Sequence, residues 1–256
     1  MTICVGCCGK NVNIDDVYTR ALIKRIEQNA DYPVNSINFI KLENYIMGNE
    51  NKDMCEKSES DETCNVRLYS MTSASGYIIK KNTRSNTLKA ITAAHWCKEM
   101  IYPDDYISSF NKVPPVDPKI NYYASFLGRD YRIDNIVYDE YSDLCLIEFK
   151  SKYAYKAENI NIAKDQPEVG DKVYMQAAPL GIHEPNMRNN FEGRFSGCNG
   201  TECTFTIPAT FGSSGSAVIN ENGEIITIVS AAVIEFPFII LGPTRQQLLE
   251  FLGKHL

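Results

Sequence analysis

Three short segments carry the residue types that acyl transfer needs: Ile91-Thr-Ala-Ala-His-Trp-Cys97, Ser142-Asp-Leu-Cys-Leu-Ile147 and Phe211-Gly-Ser-Ser-Gly-Ser216. A serine hydroxyl is a weak nucleophile at neutral pH. It needs a base within hydrogen-bond reach, and the base needs a third group to fix its tautomer. In this chain His95 would be the base, Asp143 the orienting acid and Ser214 the nucleophile. The small residues Thr92, Ala93 and Ala94 before His95 leave its imidazole room to reach a cleft. Of the three His in the chain, His183 falls in a polar loop and His255 is penultimate. Asp143 stands before the apolar run Leu144–Ile147, at the mouth of a buried strand, with Asp134 and Asp139 as nearby alternatives. Ser214 sits between Gly212 and Gly215, which let the backbone turn sharply. The amides of Gly212 and Ser214 can then converge where an oxyanion develops.

Each segment also has a plainer reading. His95 alone reads as a packed histidine, Asp143 as a turn residue before a strand, and the serine segment as a Ser/Gly-rich loop. The three together, in the order His-Asp-Ser, favour the chemical reading. The nucleophile elbow of α/β-hydrolases fails, because it requires glycine where this chain has Ser216 and follows a different order.

The elements that must position these residues are mostly short strands. From Asn65 onward, apolar or alternating runs recur between turn signals: Val66–Met71, Tyr77–Lys80, Leu88–Thr92, Ile133–Tyr138, Cys145–Phe149, Lys172–Ala177, Cys203–Ile207, Ala217–Asn220, Ile225–Ser230 and Phe238–Leu241. That pattern predicts an all-β sandwich or barrel. Asn220-Glu-Asn-Gly-Glu224 reads as a hairpin turn, Asn199-Gly-Thr201 as a hairpin tip rather than a glycosylation site, and residues 113–118 as a Pro-rich loop. Thr244 with Gln247 three residues on forms a capping box that opens a C-terminal helix. Before residue 64 the pattern differs. Asp15–Asn29 reads as an amphipathic helix, Ile37–Met47 as a weaker apolar segment, and Gly48–Thr63 as a polar linker.

Composition narrows the function classes. The chain has 256 residues, 44% hydrophobic, and a formal net charge of −6. An acidic chain is a poor binder of nucleic-acid phosphates, so no nucleic-acid partner is expected. No apolar run approaches the roughly 18 residues of a membrane span, so no membrane partner is expected. The N-terminal residues lack the pattern of a secretory signal. Nine Cys is an odd number without the spacing of a disulfide scaffold, which points to a reducing, cytoplasmic or host-intracellular setting. Cys4, Cys7 and Cys8, with Cys55 and Cys64, are too weak a pattern to assign a zinc site, so neither metal nor cofactor is expected. Cys145 reads as core packing, while Cys198 and Cys203 fall close across a turn.

The order and context of His95, Asp143 and Ser214 resemble the trypsin-like (chymotrypsin-fold) serine endopeptidases, in the style of intracellular bacterial and viral members. Supporting segments are Ser75-Gly-Tyr-Ile-Ile79, Gly170–Gly181, Glu192–Ser196 and Ile228–Ala232. The resemblance covers roughly Asn65 to Leu256. It implies an all-β fold of two antiparallel six-stranded β-barrels, with an N-terminal helical extension (1–63) and a protease domain (64–256) ending in a helix. It further implies a protein or peptide substrate that pairs with the strand around Ser230, Ala231 and Ala232, beside a pocket that includes Thr210 and Phe211. The resemblance places no Asp at the pocket floor, Val229 where Glu-selective relatives have a His, and Ala232 where Gly often sits, so it implies a small or medium uncharged side chain at the cleavage position. There are departures. Gly215-Ser-Ala217 replaces the usual Gly-Gly-Pro or Gly-Ser-Pro, and Ser213 replaces the Asp that pairs with a new N-terminus in digestive members. Cys97 lies one residue late for the family's disulfide beside the histidine, without an evident partner. The extension would cover the barrel or dock a partner. The runner-up reading is a catalytically silent peptide-binding module on the same fold, and a third is a metal-dependent regulator centred on the N-terminal cysteines.

Overall fold

β-branched and aromatic runs bounded by Gly, Asn and Pro pair here as antiparallel strands. The computed structural model describes residues 38–49, 66–101, 116–183, 189–233 and 235–256. Strands β1 (Phe39–Asn49), β2 (Val66–Asn82), β3 (Thr87–Ala93), β4 (Val116–Phe126), β5 (Arg129–Asp139) and β6 (Leu144–Lys150) close into a barrel in the order β1-β2-β3-β6-β5-β4. A short helix, α1 (Ala94–Ile101), follows β3 directly.

The second sheet holds β7 (Lys172–Gln176), β8 (Asn190–Cys198), β9 (Glu202–Thr206), β10 (Ala217–Ile219), β11 (Ile225–Ile228), β12 (Ala231–Ala232) and β13 (Ile239–Pro243), in the order β11-β10-β7-β8-β9-β13-β12. It has seven strands where six were expected, for a simple reason. Its two end strands, β11 and β12, are one run of chain interrupted at Val229 and Ser230. The run leaves β10 after Ile228 and joins β13 at Ala231, which brings the ends of the sheet together.

Three apolar clusters hold this arrangement. Ile40, Leu42, Ile78, Leu88, Phe126 and Phe149 fill the first barrel. Val173, Met175, Phe205, Ile226 and Ile240 fill the second sheet. Tyr77, Ile91, Leu144, Ile219 and Ile228 join the two, with Leu248, Phe251 and Leu252 of the C-terminal helix α2 (Arg245–His255) packed against them. The expected capping box opens α2: the Thr244 hydroxyl accepts from Gln247 N, and the Gln247 side chain accepts from Thr244 N at 2.7 Å. The hairpin turn at 220–224 and the tip at 199–201 are also as read, with Asn220 N donating to Glu224 O and Asn199 N to Glu202 O.

The sequence reading put residues 1–63 outside the barrels, but β1 lies inside the first one, between β2 and β4. Its periodicity was obscured by buried polar residues, Glu43 and Asn44. Asn44 Oδ1 accepts from Thr72 N and Thr72 Oγ1, so this polar group is satisfied within the barrel wall. β4 likewise begins at Val116, inside the expected loop, and its pairing with β1 shifts register between Met47 and Asn49. The expected helix over 15–29, the cysteines at 4, 7, 8, 55 and 64 and most of the 48–63 linker lie outside the described residues. Among the described residues, no helix is long and apolar enough to cross a membrane.

Among the described residues, two disulfides form. Cys198–Cys203 bridges the β8–β9 hairpin, and Cys97–Cys145 ties α1 to β6. The second corrects the reading of Cys97 as partnerless and Cys145 as simple packing. Each lies two positions beyond a candidate site residue, and both are fully buried. Replacing both by alanine is expected to lower stability by about 2–4 kcal/mol, by relaxing the unfolded chain and loosening the core. Denaturant midpoints of oxidised protein and the double variant check this.

Candidate active site

β3 and β6 are antiparallel neighbours, so the end of one meets the start of the other. Their ladder runs to Ala93–Leu144, and the next residues on either side are Ala94 and Asp143. Ala94 N donates to Asp143 O at 3.0 Å, which carries the pairing one step past the sheet. Asp143 then takes a positive φ of 52°, a conformation Asp tolerates better than most residues. This turn aims its carboxylate at the first turn of α1. Oδ1 accepts from His95 N at 2.8 Å, and the His95 Nδ1 lies 2.9 Å from Oδ2 and 3.1 Å from Oδ1.

One carboxylate thus serves two needs. The first turn of a helix has N–H groups without intrahelical acceptors, and an anion there is favoured by the helix dipole. The same group holds the imidazole through Nδ1 and leaves Nε2 as the acceptor in the neutral tautomer. Asp139 is engaged elsewhere: it accepts from Ser142 Oγ and Tyr141 N, which hold its carboxyl below the usual range. Asp134 lies exposed on β5. His183 packs against Phe39 and His255 against Phe251, and neither lines the cleft described next.

His95 and Ser214 line one cleft of about 640 Å³ between the two sheets. The expected residues Thr210, Phe211, Gly212, Ser230, Ala231 and Ala232 line the same cleft. The described lining contains no carboxylate, lysine or arginine. The Ser230 hydroxyl is buried there without a hydrogen-bond partner. Among the described residues, β12 pairs with β13 alone and ends the sheet order. A second, polar depression of about 740 Å³, running from Lys164 to Glu224, shares no residue with this cleft.

The loop that carries Ser214, the expected nucleophile, is held through its carbonyls. Thr210 O accepts from Ser213 N, Phe211 O from Leu180 N, Gly212 O from Ser75 Oγ, Ser213 O from Ser216 N and Ser214 O from Ser75 N. The Gly212 and Ser214 amides donate to no partner among the described residues. They are the two donors expected to form an oxyanion site. Gly212 and Gly215 adopt φ of 87° and 82°. A Cβ at Gly212 would overlap Ala178 O, and one at Gly215 would overlap Thr92 Oγ1 and Ser75 O. Sequence reasoning singled out the segment 75–79 but missed Ser75 itself and Leu180. The signal available in the sequence was only a serine at the head of the run Gly76-Tyr-Ile-Ile79.

His183 stands in the same inter-strand connection as Leu180. Burial, and secondarily Lys41, push the His183 pKa down to about 4, against a weaker opposing pull from Glu43. A histidine kept neutral in the fold stabilises fully above its ordinary value of 6.5 and loses that contribution as pH falls toward about 4. The stability of wild-type protein relative to His183→Gln is therefore expected to shrink as pH is lowered through this range. Parallel denaturation midpoints for the two proteins would contradict this.

Comparison with known proteins accords with the geometry. A family model described as a trypsin-like peptidase domain matches residues 74–228. Among curated protein sequences none matches this chain. The Rv3671c protease of M. tuberculosis, in its active form, is similar in structure with a TM-score of 0.56 at 12% identity, covering 98% of this chain and 94% of that one. An inactive form of Rv3671c protease gives a TM-score of 0.52 at 12% identity, covering 93% and 94%.

Proposed function

The chain belongs to the trypsin-like peptidase family and is a serine endopeptidase, and we propose that it cleaves peptides through His95, Asp143 and Ser214 by way of an acyl-enzyme. The observation that carries this reading is the contact between the Asp143 carboxylate and His95 Nδ1 at 2.9 Å, at the edge of the cleft that also holds Ser214.

Asp143 holds His95 with its Nε2 available as base. Ser214 Oγ attacks the scissile carbonyl carbon as Nε2 takes the hydroxyl proton. The carbonyl oxygen becomes an oxyanion and accepts from the Gly212 and Ser214 amides. Collapse breaks the C–N bond, and His95 gives its proton to the departing amine. Water, activated by the same imidazole, then attacks the ester carbonyl and restores Ser214. The acyl half of the substrate lies as an added strand along Ser230, Ala231 and Ala232, with its reacting side chain beside Thr210 and Phe211. Each of these steps is carried by the chain's own side chains and amides.

Asp143→Asn is expected to lower kcat by about four orders of magnitude with little change in KM, because it presents the wrong donor to Nδ1. Steady-state turnover of a peptide substrate checks this, and retention of more than about a tenth of wild-type kcat would contradict the assignment. The uncharged cleft predicts cleavage after small or medium uncharged residues. A peptide-library profile dominated by Arg, Lys or Glu would reject that specificity.

A further inference from the structure

Ser75 lies in β2, in the first barrel, yet its polar atoms reach into the second half of the molecule. It is fully buried. Its hydroxyl donates to Gly212 O at 2.8 Å and accepts from Ala178 N at 3.0 Å, while its own N–H donates to Ser214 O at 2.8 Å. Its carbonyl accepts from Thr92 Oγ1 at 2.7 Å, three residues before His95. One residue therefore connects the His95 strand, the 177–182 loop and the nucleophile loop.

We infer that Ser75 is a positioning residue for the oxyanion site, acting through the Gly212 carbonyl and the loop that carries Leu180. The N–H and C=O of a trans peptide point in opposite directions. Leu180 N holds Phe211 O at 2.6 Å, so the Gly212 N–H must face the other way. Leu180 can do this because the Ala178–Gly181 turn is anchored by the Ala178 N–H on Ser75 Oγ. Ser75 Oγ also holds the next carbonyl, Gly212 O, and Ser75 N holds Ser214 O. Glycine at 212 has the conformational freedom to let these peptides rotate. The Ser75 hydroxyl opposes that rotation by satisfying a buried donor on one loop and a buried acceptor on the other, each costly to leave unpaired. The effect falls on transition-state stabilisation rather than on peptide binding, because the amides it sets engage the oxyanion.

This inference rests on the serine-protease reading above, and the test separates the two. Steady-state turnover is compared for wild type, Ser75→Ala and Ser75→Cys, alongside inhibition by a peptide aldehyde, which forms a tetrahedral adduct. Affinity for the uncleaved substrate peptide is measured in the Ser214→Ala background, with and without Ser75→Ala. Ser75→Ala is expected to lower kcat by about 10- to 100-fold and to weaken the aldehyde by a similar factor. Peptide affinity should stay within about twofold, and Ser75→Cys, which keeps size and a weak donor, should fall between the two. Wild-type kcat in folded Ser75→Ala, or an equal loss of kcat and peptide affinity, overturns the inference. If Ser75→Ala does not fold, wild-type kcat in Ser75→Cys overturns it. No turnover by the wild-type protein overturns the underlying reading, and the inference with it.

Discussion

The arrangement of the site depends on one carboxylate. Asp143 stands where the β3–β6 ladder gives way to helix α1, and its carbonyl and side chain together engage Ala94 N, His95 N and His95 Nδ1. A strand end that turns directly into a helix leaves amides unpaired, and an acceptor from the neighbouring strand is the nearest remedy. The group that satisfies the helix start thereby fixes the imidazole. The pair is partly open to water, with side-chain exposures of 48% for His95 and 24% for Asp143. Its value is therefore orientation more than net stability, since exposed ion pairs contribute little. Cys97–Cys145 repeats the connection covalently two residues further on, in the buried layer beneath.

The second half of the molecule carries Ser214, the proposed nucleophile, on a loop whose carbonyls all find donors from Thr210 to Ser214. With every acceptor satisfied and the Gly212 and Ser214 amides without partners among the described residues, the loop has the features that the proposed oxyanion site requires. The donors come from both sides of the cleft: Ser75 from the first barrel, Leu180 from the second. Packing at the junction, through Tyr77, Ile91, Leu144 and Ile228, keeps these two sides in register.

Much of this was legible in the sequence. His95 and Ser214 stood in small-residue or glycine-rich contexts and Asp143 before an apolar run, and most strands were readable as short apolar runs between turn residues, β1, β4, β8 and β12 excepted. The capping box at Thr244 and the hairpin at Asn220–Glu224 are local devices, and local rules found both. What escaped was non-local. β1 buries two adjacent polar residues that face opposite ways along the strand: Glu43 pairs with Lys41, and Asn44 is satisfied by Thr72 on β2. The interruption at Val229 and Ser230 depends on which neighbours the chain meets before and after it. Cys97 and Cys145 are 48 residues apart and meet only because their strand and helix adjoin. Ser75 looked like the first residue of an apolar strand, and its three loop contacts exist only once the two sheets face each other.

The most direct test of the Asp143–His95 contact is nitrogen-15 NMR of protein labelled at its histidines. With only three His in the chain, the His95 signals are assignable by loss in His95→Ala. The geometry predicts that neutral His95 carries its proton on Nδ1, in a hydrogen bond whose proton signal disappears in Asp143→Asn. A proton on Nε2, or an Nδ1 proton indifferent to that substitution, would contradict the account.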